Sequence, residues 1–461
     1  STVAQNMQIL YDFDQLPQNL LLNPGTEIDY DKHFGVPLLS NLYLDFGSSN
    51  KDVSYNSIIK EGENRSDALR NLNDLGLTPG DVFIFNQQIE VFSGGIRLKN
   101  PKYYLSFGMY QQIDGFSAYP TDFVTLFLNG DDPNRDGRPL FEEPYSASHV
   151  NTAVQMLGVF HLGLNKKVNE KVTLGARLKI LSGSFGLETS SNQGTYYLGL
   201  DRLSNEPYIH NYENMNVRLN TSGLLNSFDL SSALGDPAEL ISDLFFLSGS
   251  MGLAIDFGFS YQLNENIKIT GSLLDIGMTR FNHKLTSIEF EDAVIATEDY
   301  YLPFEGNELD YWQSLNVLGE IPLETSEKEY THFRAPKINA SVRYDMKRKV
   351  KSENSVFRNV RADMASDFLT SSFGMQVYTE FRPRVPLWAI TGFYSRELTR
   401  FLNAKVTYTI DRFSATNLGI GASVHVKAFN FYTALDNLLA LPDSKNSNYQ
   451  SFQVGMNFIF K

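Results

Sequence analysis

The last ten residues, Phe452 to Lys461, read FQVGMNFIFK. In an extended chain Phe452, Val454, Met456, Phe458 and Phe460 share one face, while Gln453, Gly455 and Asn457 share the other. Only Ile459 is out of step. Period two of this kind marks a strand with one apolar and one polar face. The same beat recurs upstream. Leu402, Ala404, Val406, Tyr408 and Ile410 oppose Asn403, Lys405, Thr407, Thr409 and Asp411. Val172, Leu174, Ala176, Leu178 and Ile180 oppose Thr173, Gly175, Arg177 and Lys179, and Leu253 to Gln262 repeats the pattern.

Alternation is common to soluble sandwiches and membrane barrels, so other features must choose. The polar faces carry Gly, Ser and single charges, as a wet lumen tolerates, and the apolar faces carry aromatics near strand ends, as interfacial girdles require. The 461 residues include 34 Phe and 24 Tyr, yet mean hydropathy is −0.24. A barrel reconciles the two, because only every second residue meets lipid. A membrane helix needs about 20 consecutive apolar residues. The most apolar run, Leu244 to Ile255, is too short and lies between Asp243 and Asp256. The formal charge of −14 opposes nucleic-acid binding, and the absence of cysteine excludes disulfides and thiolate metal sites.

Fourteen alternating segments follow, from Val36–Ser48 through Lys171–Phe185, Gly249–Leu263 and Arg334–Asp345 to Ser451–Phe460. An even count suits a single-chain outer-membrane barrel, and so does the beat of long and short connections in the first half. The connection from Met346 to Leu369 breaks that beat, so it is either an extended turn or hides a further strand pair. The fold class expected is therefore all-β: a transmembrane antiparallel β-barrel of about 14 strands with long extracellular loops carrying short helices. Residues 1–33 are expected to form an N-terminal periplasmic or hatch segment, and residues 34–461 the barrel. Fourteen strands leave a narrow lumen. The N-terminal residues or an infolded loop would close it. Ser1-Thr2-Val3-Ala4 reads as the end of a secretory signal cut before Gln5, although a tag remnant would look the same.

Several local patterns carry chemistry. Asp132-Pro133-Asn134-Arg135-Asp136-Gly137 with Glu143 fits a calcium loop, with Asp132, Asn134, Asp136, Glu143 and the carbonyl of Arg138 as ligands. Pro139 and the lack of flanking helices argue for a plain acidic loop instead. Asp236-Pro237-Ala238-Glu239 starts a loop helix. Its stripe of Leu240, Ile241, Leu244 and Leu247 either covers the barrel mouth or receives a partner or lipid-like ligand. Ser66, Leu69, Leu72 and Leu75 before Gly76 suggest a second such helix. Lys347, Arg348, Lys349 and Lys351, with Arg358 and Arg361, form a basic cluster: a solvated turn, or a periplasmic docking site for an acidic partner or lipid phosphates. The seven histidines show no metal-binding pair, and no G-x-S-x-G or phosphate loop is present. Asp256 and Asp275 read as lumen-facing carboxylates, and His161 and His425 as neutral lumen or belt residues.

Leu20-Leu21-Leu22 followed by Asn23-Pro24-Gly25 resembles the Asn-Pro-Ala hatch signature of FadL-type fourteen-stranded barrels, with Gly25 in place of Ala. Asn417-Leu418-Gly419-Ile420-Gly421 and Phe431 to Leu438 are similar to the closing strands of Bacteroidota FadL-like and PorP/SprF-like barrels. The resemblance implies a bacterial outer-membrane protein, porin-like, in contact with outer-membrane lipids. Two roles come with it. One is an accessory subunit of an outer-membrane complex, such as type IX secretion or barrel assembly, with other outer-membrane or periplasmic proteins as partners. The other is passive FadL-like transport of a hydrophobic small molecule. The long loops and basic turn favour the subunit, and a non-enzymatic protein; a membrane-embedded hydrolase comes last. Calcium titration calorimetry of the folded protein should give a binding heat that Asp132→Asn removes; no heat at millimolar calcium would refute the loop as a calcium site.

Overall fold

The computed structural model describes residues 7–461 apart from 59–70, 73, 123, 125–143, 201–207, 224–248, 298–322, 350–367 and 383–385. Fourteen antiparallel strands close into one barrel. The first, β1, comes in two pieces, Lys32–Gly35 and Leu42–Ser48. Next are β2 (Val82–Arg97), β3 (Tyr103–Ala118), β4 (Asn151–Lys167), β5 (Val172–Leu200), β6 (Ser250–Gln262) and β7 (Ile267–Phe281). The second half holds β8 (Lys337–Lys349), β9 (Phe368–Glu380), β10 (Leu387–Glu397), β11 (Leu402–Asp411), β12 (Asn417–Val426), β13 (Phe429–Asp436) and β14 (Tyr449–Phe460). Each pairs with its neighbour, and Lys32 opposite Phe460 with Leu42 opposite Val454 closes the ring. Closure leaves the wall without a bare edge, the condition for irregularity-free passage through hydrocarbon.

Burial along the strands is inside out relative to a soluble protein. On β6 the polar Asp256 and Ser260 are 0% and 3% exposed, whereas Leu253 and Phe257 are 59% and 45% exposed. Leu174, Leu178, Val342, Met375, Tyr408, Phe452 and Phe460 extend the outward apolar belt around the ring. Such a surface in water would be an aggregation site; in lipid it is the binding face. Among the described residues no helix is long and apolar enough to cross a membrane.

Three departures from the alternation pattern have local causes. Val36 to Asn41, read from sequence as part of the first strand, breaks the regular register, although Val36 and Leu38 N–H still donate to Met456 O and Val91 O. Pro37 has no N–H to pair, and Leu38 adopts a left-handed φ of 62°. The ladder resumes where Glu90 N–H reaches Asn41 O. In β7 a bulge sits between Leu273 and Ile276, with Asp275 at φ 60°. Across the connection after Met346, β8 and β9 pair directly with each other and continue as far as Lys349 opposite Phe368, forming a two-stranded ribbon beyond the rim.

At the end with long connections, here the outer end, β5 rises beyond the belt and pairs with Tyr208–Gly223. That strand takes on Leu285–Phe290 and Ala293–Thr297, and Leu323–Ser326 adds to Leu285–Phe290. These strands lie within connections that the spacing of the wall strands reads as loop; the longest of them, Tyr208–Gly223, alternates Met215, Val217 and Leu219 with Asn214, Asn216 and Arg218. Leu178→Arg places a charge on the lipid face of β5 and should cost about 2–4 kcal/mol in vesicles. A denaturant titration of the reconstituted protein checks this, and no loss of stability would argue that Leu178 does not face lipid.

Candidate functional site

The lumen is filled from within by residues 7–31. The segment winds compactly: the N–H groups of Leu10, Phe13, Leu16 and Asn19 bond back to the carbonyls of Met7, Leu10, Phe13 and Leu16. One helical turn, Asn19–Leu22, follows. Met7, Leu10, Tyr11, Phe13, Leu16 and Leu22 pack with Tyr43 of β1 and Tyr432 of β13 into an apolar body that anchors one side of the plug to the wall.

At the inner end the plug is seated by backbone fit. Asn23, Pro24 and Gly25 lie on Gly175 of β5 and Gly258 of β6, which face each other in the ladder. A Cβ on Gly175 would stand 1.9 Å from Pro24 O, one on Gly258 2.1 Å from Asn23 Oδ1, and one on Gly25 2.2 Å from Gly258 O. Only glycines let chain and wall approach this closely. Asn23 Nδ2 donates to Phe259 O (3.1 Å), and Asn165 Nδ2 donates to the carbonyls of Pro24 and Thr26 (2.9 and 2.8 Å). Below, Arg97 Nη2 donates to Ile28 O and Tyr30 O (2.8 and 2.7 Å).

Charges also hold the plug. Asp14 pairs with Lys268 of β7 (2.9 Å) and Arg343 of β8 (2.8 Å). Asp12 accepts from Thr270 Oγ1 (3.0 Å) and from Ser341 Oγ. Lys405 Nζ of β11 donates to Tyr11 O, and Gln18 exchanges amide bonds with Asn457 of β14 (2.9 and 3.0 Å). On the opposite side Arg177 Nη1 and Nη2 donate to Leu20 O (3.1 Å) and Leu21 O (2.6 Å). From Arg177 an ionic chain runs outward. It passes to Asp256 (2.5 Å), Lys179 (2.9 Å) and Asp275 (2.6 Å), and ends on Arg334 (3.1 Å). Asp256 and Asp275 thus face the lumen as paired carboxylates. His161 is also inward, beside Tyr110, with neither ring nitrogen bonded among the described residues.

Beyond the plug the outer mouth is partly sealed. Val82, Ile84, Phe116, Ala118, Leu387, Phe413 and Tyr449 form one buried apolar cluster, bringing β3 into contact with β10 from the opposite side of the ring. Beside it a cavity of about 530 Å³ lies between β3, β4 and β5 and the tops of β7, β8 and β9. The last bond between β8 and β9 is Phe381 N–H to Pro336 O. Above it Tyr330–Phe333 follows β7 instead. The cavity reaches Phe333 and Phe381, which are 73% and 50% exposed.

Of the residues singled out from sequence, Asn23, Pro24 and Gly25 meet the wall as given above. Lys347, Arg348 and Lys349 lie on the ribbon of β8, and Lys351 falls outside the described residues. Asp132, Asn134, Asp136, Arg138 and Glu143 also fall outside them, as do Leu240, Ile241, Leu244 and Leu247. Among the described residues no group of three or more His, Asp or Glu could hold a metal. The sequence reading missed the plug-holding Arg177, Lys268, Arg343 and Lys405. Their signal was present: a long cation on the polar face of an alternating strand has no reason to be there unless the lumen supplies an acceptor.

A closed fourteen-strand wall with an apolar belt and an internal plug defines a plugged transmembrane β-barrel. The chain belongs to the family of unknown function DUF5723, whose model matches residues 24–436. No curated protein matches it. Among solved structures it is similar to the toluene transporter TbuX of Ralstonia pickettii at 10% identity, covering 97% of this chain and 95% of that one with a TM-score of 0.40. The toluene transporter TodX of Pseudomonas putida follows at 9% identity, 96% and 92% coverage and a TM-score of 0.35. A Pseudomonas aeruginosa FadL homologue stands at 10%, 96% and 94%, and 0.40.

Gly175→Val should unseat Asn23-Pro24-Gly25 while leaving the wall closed. The expected result is rapid protease cleavage within residues 7–31 and a raised single-channel conductance in planar bilayers. An N-terminal segment as protected as in the parent protein would refute the seat.

Proposed function

We propose that this chain is a passive outer-membrane conduit for a hydrophobic or amphipathic small molecule, gated by its own N-terminal segment, and not an enzyme. The observation that carries the reading is the outer cavity. At about 530 Å³ it falls within the range of small-molecule sites, and apolar groups dominate its rim. Its lining includes Phe333 and Phe381, which are also exposed on the apolar belt, where a solute partitioned into the membrane would arrive. Inward of it lies a plug fixed to the wall by hydrogen bonds, ion pairs and glycine contacts, without a covalent cross-link, so the path below can open at the cost of polar contacts that water can replace.

A second reading has one specific feature in its favour. The ribbon of β8 and β9 runs past the inner rim and brings Lys347, Arg348 and Lys349 with it, a form suited to docking on an acidic periplasmic partner in an outer-membrane complex. It makes no use of the cavity, so the transport reading draws on more of the structure.

Flux decides between them. In vesicles with lipopolysaccharide in the outer leaflet, the protein should speed entry of a fluorescent apolar solute while leaving a labelled sugar excluded. Deleting residues 1–22 should admit both and raise ion conductance at least tenfold. Entry rates equal to protein-free vesicles would refute the conduit, and a stoichiometric protein partner in a gentle-detergent pull-down would then favour the subunit.

A further inference from the structure

At the inner rim one arc of the wall is rich in cations. Two neighbouring short turns, residues 98–102 between β2 and β3 and residues 168–171 between β4 and β5, hold Lys99, Lys102 and Lys171, all exposed. Lys32 opens β1 and Lys166 lies at the inner end of β4, and both are exposed as well. Farther round the ring, residues 263–266 between β6 and β7 carry Glu265 as their one charge. In a chain of net charge −14 this arc runs against the overall balance.

The carboxylates of the arc are already engaged. Asp29 pairs with Lys461 (2.5 Å), Asp31 with Arg97 (3.1 Å) and Glu170 with Lys167 (2.9 Å). Lys32, Lys99, Lys102, Lys166 and Lys171 pair with no carboxylate among the described residues. Direction matters as much as charge. Along β4, Leu162 and Leu164 are exposed on the apolar belt, and Lys166 is the next residue on that face. It stands opposite Tyr103 of β3 and Leu174 of β5, with Nζ 5.3 Å over the Tyr103 ring. Lys32 shares the outward face of β1 with exposed Phe34, between Ile96 of β2 and Phe460 of β14. Both ammonium groups therefore end the lipid face of the wall and do not line the lumen. Between them the β2–β3 hairpin presents Ile96, Leu98 and Phe107 outward, with Lys99 and Lys102 in its turn.

We propose that this hairpin binds an anionic phospholipid of the inner leaflet, its phosphate head on Lys32, Lys99, Lys102 and Lys166 and its acyl chains on Ile96, Leu98 and Phe107. A lysine stem lies along apolar surface while its ammonium reaches the head-group level, the depth at which an interfacial Tyr such as Tyr103 also sits. Each cation near an anionic membrane surface is worth roughly fivefold in affinity, and several around one apolar patch make a localised site. An acidic soluble partner has no access to Lys32 and Lys166, which are flanked by Phe460 and Leu174 on the lipid side. The inference rests on the membrane placement of the wall and is independent of the conduit.

Native mass spectrometry of the full chain from neutral detergent tests it, with equimolar phosphatidylglycerol and phosphatidylcholine of identical chains. Phosphatidylglycerol should be retained roughly tenfold more tightly. Lys166→Gln should remove roughly fivefold of that preference. Combining it with Lys32→Gln, Lys99→Gln and Lys102→Gln should erase the preference, and Arg at the same positions should keep it. Lys51→Gln, at an exposed lysine of the outer end, should change nothing. All these side chains are exposed, so the heat-dependent gel shift of the folded barrel should be the same in every variant. Millimolar inorganic phosphate, which lacks acyl chains, and a hexaglutamate peptide should leave the lipid bound. Equal retention of the two lipids, a preference that survives the combined Gln changes or is lost with Arg, or displacement by phosphate would overturn the proposal. Displacement by hexaglutamate would overturn it too, and would assign the arc to an acidic protein instead.

Discussion

The constraint from which the rest of this structure follows is that a barrel wall turns its charges inward and then has to find partners for them. A lumen of fourteen strands is too narrow to solvate Arg177, Lys179, Lys268, Arg343 and Lys405 as a wide pore would. Leaving any of them unpaired would cost several kcal/mol, because a buried charge without a partner is worse than no charge. The chain meets this with its own first segment, whose carbonyls at Tyr11, Leu20 and Leu21 and whose carboxylates at Asp12 and Asp14 face those cations. Plug and wall are thus one electrostatic object. Such pairing is weak as a source of stability but strong as a source of specificity, since only one placement of the segment satisfies every member.

Backbone contacts and ion pairs divide the work of holding the plug. At the inner end Gly175 and Gly258 let the chain approach the wall to a distance at which no side chain fits, and that contact is insensitive to salt or pH. Close to that seat the hold is ionic: Lys268 and Arg343, which take Asp14, face each other in the ladder next to the inner turn.

The wall was legible from sequence because lipid imposes a rule on every second residue, and the rule shows in each strand separately. Even parity needed only counting. The plug was less legible: Leu20-Leu21-Leu22 and Asn23-Pro24-Gly25 marked it, but its acceptors are backbone carbonyls, which carry no residue identity. The glycine seat illustrates the limit. Gly175 and Gly258 are 83 positions apart, and only the ladder of β5 and β6 makes them one surface. The kink at Val36 to Asn41 was in plain view as Pro37, and alternation on both sides of it masked the break. Arg334 was hidden for another reason: it sits at a strand end, where alternation stops and periodicity says nothing about direction.

Arg334 closes a chain of buried charges that ties the wall to the plug. Arg334 shares Asp275 with Lys179, Lys179 shares Asp256 with Arg177, and Arg177 holds the carbonyls of Leu20 and Leu21. Every link is buried, so each is little screened by salt.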